Sequence, residues 1–183
     1  MRILGISGSL RAGSHNTKLL HAAAELLPEG AELELWSGLK DVPPYDGDDD
    51  VEPVPADVAA LRDALAGADG VLFATPEYNT SIPGQLKNAL DWASRPLRTN
   101  PLRNKPVAVI GASTGAFGAV WSQQELRKVL RSLGARVLED GVAVRHADRQ
   151  FDGDNLPEDV REELRDVLAT LVAEVRERPL VAA

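Results

Sequence analysis

Residues 3–17 of the chain read ILGISGSLRAGSHNT. The first four residues form a short apolar run that ends in Ser7-Gly8-Ser9, a pattern typical of a buried strand broken by turn residues. Apolar residues then recur at the spacing of one helix face, at Leu20, Ala23, Ala24 and Leu27. A Pro-Glu-Gly sequence at residues 28–30 ends that pattern. The stretch therefore predicts a strand, a polar loop and a helix in immediate succession.

The same alternation continues along the chain. Further strands are predicted at residues 31–36, 70–74, 107–110 and 136–144, the last of them bent at Gly141, with helices between them. Because three of the strands are apolar throughout, the sheet must be parallel and covered on both faces. Right-handed crossovers and the chain length then favour one α/β domain over residues 1–183. The predicted fold is a flavodoxin-like, three-layer, doubly wound sheet of five parallel strands in the order 2-1-3-4-5.

Composition excludes several classes of function. The 183 residues carry a formal net charge of −8, which disfavours binding to nucleic acids or anionic membranes. The absence of cysteine excludes disulfides, thiolate metal sites and a cysteine nucleophile. No apolar run approaches the roughly 20 residues of a membrane span, and the N-terminus has no signal-peptide pattern. We therefore expect a cytoplasmic protein without membrane or nucleic-acid partners.

The predicted topology indicates which loops lie at the ligand-binding edge of the sheet and which lie at the opposite edge. Ligands of such sheets bind at the carboxyl ends of the strands, where the loops span residues 7–16, 37–55, 76–82, 113–117 and 145–156. The loop at residues 95–105 lies on the opposite edge. We expect its basic side chains to be solvated or at a subunit contact, namely Arg95, Arg98, Arg103 and Lys105.

The first of these loops has the composition of a phosphate site. A helix N-terminus offers unpaired N–H groups and a partial positive charge, and the hydroxyls, amide and guanidinium nearby can add donors. These side chains belong to Ser9, Arg11, Ser14, Asn16 and Thr17. The glycines lack the spacing of a dinucleotide fingerprint, and the Gly-Lys-Ser/Thr of a Walker loop does not occur in the sequence. A simple helix cap with flexible glycines is the alternative.

Three motifs in order along the chain carry a family resemblance. Residues 8–16 read GSLRAGSHN, residues 76–79 read PEYN, and residues 81–92 read SIPGQLKNALDW. Together they resemble the NAD(P)H-dependent FMN reductase family, which includes quinone, azo-dye and chromate reductases. The resemblance implies a flavodoxin-like fold, bound FMN, NADPH or NADH as co-substrate, and a homodimer or homotetramer.

The family's FMN contacts carry over onto matching positions. Its phosphate loop falls on Ser9, Arg11, Ser14, Asn16 and Thr17, its ring loop on Pro76, Glu77, Tyr78 and Asn79, and a further contact on Ser113, Thr114 and Gly115. Where relatives often have an arginine in the following helix, this chain has Trp121. For the ring loop and the third loop, local turns with capping side chains remain the alternative.

The implied reaction is a two-electron reduction. Hydride passes from NAD(P)H to FMN and then to a small acceptor, either a flavin, a quinone, an azo compound or a metal oxyanion, in a ping-pong sequence. The protein supplies binding and orientation, so no side chain is assigned as catalytic and no metal site is expected. Two alternatives are a flavodoxin-type electron carrier and a flavin-free signalling domain. Ser7-Gly8-Ser9 stands against the latter, because receiver domains have acidic residues there.

Four other features have no firm assignment. Trp92 is expected to be a packing anchor or a subunit contact, and Lys87 and Asp91 a surface ion pair. His146 follows the fifth strand and is a candidate proton donor to a reduced quinone, although its position in a loop favours a histidine without a role. The acidic residues 46–50 form a solvated turn or, with Tyr45, a cover for the site.

Overall fold

The computed structural model describes residues 1–153 and 155–177. The strands are β1 (Arg2–Ser7), β2 (Glu32–Trp36), β3 (Gly70–Thr75), β4 (Pro106–Ala112), β5 (Arg136–Val137) and β6 (Ala143–Val144). The helices are α1 (His15–Leu26), α2 (Ala56–Ala66), α3 (Gly84–Ala93), α4 (Val120–Ser132), α5 (Ala147–Gln150) and α6 (Glu158–Arg176), and short 3₁₀ turns lie at Gly38–Lys40 and Gly47–Asp49.

The sheet has the predicted topology. All pairs are parallel, in the order β2-β1-β3-β4-β5, and β6 also pairs with β4. Residues alternate between two separate cores: Val71 and Phe73 of β3 pack on the side of α2, α3 and α4, whereas Leu72 and Ala74 pack on the side of α1 and α6. Both faces are therefore covered, as fully apolar strands require.

The predicted fifth strand, residues 136–144, is wrong as a continuous strand. It is two short pieces, β5 and β6, that both pair with β4. Between them the Arg127 guanidinium donates to the carbonyl oxygen of Val109 at 3.1 Å, so this β4 acceptor is taken by a side chain. A side chain at Gly141 would lie 2.4 Å from the same oxygen, so the backbone passes directly beneath the arginine. The break thus comes from a tertiary contact.

The basic loop on the opposite edge is also partly corrected. Arg95, Arg98 and Arg103 are exposed as expected, but Lys105 is 2% exposed. Its ammonium donates to the carbonyl oxygens of Leu65 and Ala68 at the end of α2. Carbonyls at a helix C-terminus lack intrahelical donors, which makes this a favourable place for a buried cation.

Trp92 is a packing anchor enclosed by its own chain. It is fully buried, its Nε1 donates to the carbonyl oxygen of Pro43 at 2.9 Å, and its ring meets Tyr45 edge to face at 4.9 Å. Arg62 bonds the Trp92 carbonyl and pairs with Asp50 at 2.9 Å. The acidic turn is thereby held against α2 and α3, and the half-buried Tyr45 packs against the core at Trp92.

No helix in the part of the chain that the structure describes is long and apolar enough to cross a membrane.

Candidate cofactor site

Three loops meet around a cavity of about 110 Å³ at the carboxyl ends of β1, β3 and β4. Nine of the predicted site residues line it: Ser9, Arg11, Ser14, Asn16, Pro76, Glu77, Tyr78, Ser113 and Thr114. The other three, Thr17, Asn79 and Gly115, lie in the same loops but outside its lining. His15 and Ala112 also line it, and neither was predicted to contact a cofactor.

The start of α1 is built to receive an anion. Ser14 caps the helix, and its Oγ accepts hydrogen bonds from the N–H groups of Asn16 at 3.2 Å and Thr17 at 3.3 Å. The four backbone N–H groups of residues 12–15 make no hydrogen bond to any described residue. Unpaired N–H groups at a helix N-terminus carry partial positive charge, which suits a phosphate. We call this run of N–H groups the cradle.

Asn16 ties the cradle to the end of β4. Its Nδ2 donates to the carbonyl oxygen of Ala112 and its Oδ1 accepts from the Ala112 N–H, both at 2.9 Å. The side chain is buried, so these bonds fix the first turn of α1 relative to the central sheet. The amide was expected to donate to the ligand. Half of its hydrogen-bonding capacity is instead used by the backbone, with one N–H and one oxygen lone pair remaining.

The remaining phosphate-loop side chains differ in their freedom. Thr17 donates from Oγ1 to the Ser7 hydroxyl at 3.0 Å, away from the cavity. Arg11 is exposed, and its guanidinium makes no ion pair within residues 1–153 and 155–177. The Arg11 charge is therefore available to a ligand.

His15 is a site residue that sequence reasoning missed. Its ring stacks on Phe151 with 5.4 Å between centroids, and its buried Nδ1 has no hydrogen-bond partner among the described residues. Burial, followed by the charges of Lys18 and Arg11, lowers the pKa of His15 below its usual 6.5. A buried nitrogen beside the cradle, without a partner among the described residues, marks a position where a ligand would complete a hydrogen bond.

The loop after β3 is tightly turned. Tyr78 and Ser81 exchange two backbone hydrogen bonds of 3.1 Å, with Asn79 and Thr80 between them at φ of 52° and 62°. Threonine is β-branched and rarely adopts this left-handed conformation, so the turn holds strain. Strain of this kind concentrates at ligand-binding loops. The turn places Tyr78, which is half-exposed, at the rim of the cavity.

Glu77 joins this loop to the next one. Its Oε2 accepts from the N–H groups of Trp121 at 3.1 Å and Ser122 at 3.2 Å, in the first turn of α4. The residue that precedes this helix, Ala119, has no side chain able to cap it. A carboxylate at a helix N-terminus is favoured by both hydrogen bonding and the helix dipole. Glu77 therefore lines the cavity while its carboxylate positions α4.

The third loop is open to solvent. Ser113 Oγ accepts from the Gly115 N–H at 3.1 Å, and the Gly115 carbonyl accepts from the His146 N–H at 3.0 Å. Beyond it, Phe117 and Trp121 form an exposed aromatic pair with 4.7 Å between ring centroids. The rim is thus polar backbone on one side and aromatic surface on the other.

Comparison with known proteins identifies the family of the chain. Residues 1–149 match the model of the family described as NADPH-dependent FMN reductase. The chain belongs to this family. It is 41% identical to the NAD(P)H-dependent FMN reductase of Pseudomonas aeruginosa over 179 residues, with 96% of each chain covered. It is 38% identical to the 2-hydroxy-1,4-benzoquinone reductase of a Burkholderia species, with 97% of this chain and 98% of that protein covered.

A solved structure agrees with the fold. The flavoenzyme NAD(P)H:(acceptor) oxidoreductase of Paracoccus denitrificans superposes with a TM-score of 0.86 at 32% identity, covering 97% of this chain and 98% of that one. The predicted flavodoxin-like fold, the family and the assignment as an oxidoreductase are confirmed. So is FMN as cofactor with NAD(P)H as co-substrate.

The residues present fit FMN. The cradle and the free Arg11 charge match a phosphate monoester, and the cavity's modest volume suits a ribityl phosphate with the ring across its open mouth. Gly8 lets the first and second loops meet, since a side chain there would lie 2.9 Å from the Leu86 Cδ2 and 3.3 Å from the Pro76 Cδ. Glycine at this position therefore allows the first loop to pack closely against the second loop and α3.

Proposed function

We propose that this enzyme oxidises NAD(P)H and reduces a small acceptor, a quinone foremost, in a ping-pong sequence. FMN supplies the chemistry, since it accepts a hydride from NAD(P)H and gives it up to the acceptor. The observation that carries the proposal is the cradle, whose four N–H groups bond to none of the described residues, beside the cavity. The name of the Burkholderia relative, a benzoquinone reductase, supports the choice of acceptor.

Under this proposal the first loop holds the phosphate. The N–H groups of residues 12–15 donate to its oxygens, and Arg11 neutralises part of its charge. Ser14 and Asn16 hold the helix start in position, and His15 contributes a buried nitrogen. The proposed phosphate-loop residues are Ser9, Arg11, Ser14, Asn16 and Thr17.

The other two loops hold the flavin ring. The ring would lie between Pro76, Glu77, Tyr78 and Asn79 on one side and Ser113, Thr114 and Gly115 on the other. The N–H groups of Glu77, Asn79 and Thr114 make no hydrogen bond to any described residue, so they are the donors available to its polar edge. No side chain is assigned as catalytic, because positioning and hydrogen bonding suffice for hydride transfer between two bound rings.

An open rim supports the ping-pong order. Tyr78, Phe117 and Trp121 are all substantially exposed, and only Tyr78 lines the cavity. A single accessible face would be visited first by NAD(P)H and then by the acceptor. An electron carrier would instead need that face covered by aromatic side chains.

The test is an anaerobic titration of the yellow, FMN-loaded protein. NADPH or NADH should bleach the flavin absorbance within seconds, and added benzoquinone should restore it. Steady-state rates at several quinone concentrations should give parallel reciprocal plots. Persistent colour after excess NAD(P)H would refute the proposal and favour the electron carrier, and intersecting plots would refute the ping-pong order.

We further propose that the chain acts as a single domain, in the cytoplasm, as a homodimer or homotetramer. The exposed Phe117–Trp121 pair supports an oligomer, because exposed aromatic surface is typical of subunit contacts. NAD(P)H is an intracellular co-substrate, which supports the location. Mass photometry of the FMN-loaded protein tests the assembly, and a purely monomeric distribution would refute it.

A further inference from the structure

A second cavity of about 240 Å³ lies beside the first, on the β2 side of the phosphate loop. It is bounded by the start of α1, the carboxyl ends of β1 and β2, and the 3₁₀ turn Gly38–Lys40. Ser9 and Arg11 line both cavities, so the two share a wall. Its volume is below the roughly 300–1,000 Å³ of pockets that enclose a whole drug-sized ligand, and suits one end of an extended molecule.

The walls of this second cavity combine three kinds of chemistry. Apolar surface comes from Leu20, Leu35 and Leu39 and from the indole of Trp36. Hydroxyl groups come from Ser7, Ser9, Thr17 and Ser37. A flat aromatic or aliphatic surface beside hydroxyl groups fits a base and its ribose.

Trp36 is held in place by the turn that follows it. A side chain at Gly38 would lie 2.8 Å from Cζ2 of the indole, so the glycine allows the 3₁₀ turn to rest directly on the ring. The same turn carries Lys40 to the rim. The aromatic surface and the cation are therefore fixed relative to each other by three residues of backbone.

The rim of the second cavity is positively charged, whereas the chain as a whole is negatively charged. Lys40 and Arg11 are both exposed, and neither forms an ion pair within the described residues. None of the described residues that line the cavity is acidic, although the chain carries a net charge of −8. Two exposed cations without an ion-pair partner among the described residues, together with an indole and several hydroxyl groups, indicate an anionic ligand with a planar end.

We propose that the second cavity binds the phosphorylated adenosine end of NADPH. The adenine packs against Trp36 and Leu39, and Lys40 pairs with the phosphate on the adenosine ribose. Arg11, between the cavities, screens the FMN phosphate from the phosphates of the co-substrate. This assignment rests on the proposed function and adds to it a preference for NADPH over NADH, because only NADPH carries the ribose phosphate.

The test compares Lys40→Ala with Lys128→Ala in the FMN-loaded enzyme. Lys128 is exposed on α4 and lines neither cavity, so its variant removes the same charge elsewhere. Lys40→Ala should raise the KM for NADPH about tenfold, the loss of one exposed charged contact, with kcat and the KM for NADH within twofold. Lys40→Arg should keep most of the affinity, and Lys128→Ala should change neither KM. An unchanged ratio of the two KM values in Lys40→Ala would overturn the assignment.

A second measurement separates this inference from the proposed function. Adenosine 2′,5′-bisphosphate, titrated calorimetrically into the FMN-loaded protein without turnover, should bind to the wild type and about tenfold more weakly to Lys40→Ala. If the bisphosphate binds in a Lys40-dependent way but the protein does not oxidise NADPH, the proposed function is refuted and the adenosine site is supported. If the protein oxidises NADPH but the bisphosphate shows no Lys40-dependent binding, the proposed function is supported and the adenosine site is refuted.

Discussion

Replacing Asn16 by alanine removes the tie between the cradle and β4. The side chain is 3% exposed and makes two hydrogen bonds of 2.9 Å to the backbone of Ala112. The variant leaves a buried N–H and a buried carbonyl without partners, each at about 1–3 kcal/mol. Because Ala112 lies at the lip of the cavity, part of that loss is relieved by water. We expect the free energy of unfolding to fall by about 3 kcal/mol.

Urea unfolding followed by circular dichroism measures this loss, with and without FMN. Thr170→Ala is the control. Thr170 lies on the exposed face of α6, and among the described residues its hydroxyl bonds only to the Asp166 carbonyl, so the variant should change stability by less than about 0.5 kcal/mol. The FMN dissociation constant of Asn16→Ala should also rise, since the first turn of α1 loses its anchor. A loss below about 1 kcal/mol, with unchanged FMN affinity, would refute the view that Asn16 holds the cradle in place.

Three further substitutions probe the other supports. Glu77→Ala removes the cap of α4 and should lower the free energy of unfolding, measured in urea, by about 1 kcal/mol. Glu77→Gln keeps an acceptor and should lower it by less. Equal losses in the two variants would contradict the capping role. Lys105→Met leaves two carbonyls at the end of α2 without their donor and should lower the free energy of unfolding by about 2 kcal/mol in the same assay. An unchanged free energy of unfolding would show that the buried ammonium is dispensable. His15 resists protonation in the folded chain because its pKa lies below 6.5, so the unfolded chain takes up the proton first as pH falls. The free energy of unfolding of the FMN-free protein should therefore decline as pH falls from about 6.5 towards the lowered pKa of His15. His15→Gln should remove that part of the decline. An identical pH profile in the variant would contradict a contribution from His15.

The sheet and the meeting of the three loops were predictable because they follow from patterns that are local in sequence. Fully apolar strands dictate a sheet covered on both faces, and parallel strands place their following loops at one edge. The phosphate loop could be predicted for the same reason. Hydroxyl residues and glycines directly after a buried strand indicate a helix start that must be capped.

The predictions that needed correction concern contacts between distant segments. The fifth strand is broken because Arg127 of α4 takes a carbonyl of β4, and nothing near residues 136–144 signals that competition. Lys105 is buried because the end of α2 offers it acceptors. His15 lies in the predicted loop, but its pairing with Phe151 depends on how the segment after β6 returns to α1. The second cavity likewise exists only once the turn at Gly38 rests on Trp36.

The most direct test of the account compares the binding of FMN and riboflavin to the cofactor-free protein by fluorescence quenching. The two flavins differ only in the phosphate, so their affinity ratio measures what the cradle and Arg11 contribute. We expect FMN to bind at least about 100-fold more tightly, equivalent to about 2.7 kcal/mol, and Arg11→Ala to reduce that ratio by about tenfold. Equal affinities for the two flavins would contradict the claim that this enzyme anchors its cofactor by the phosphate at the start of α1.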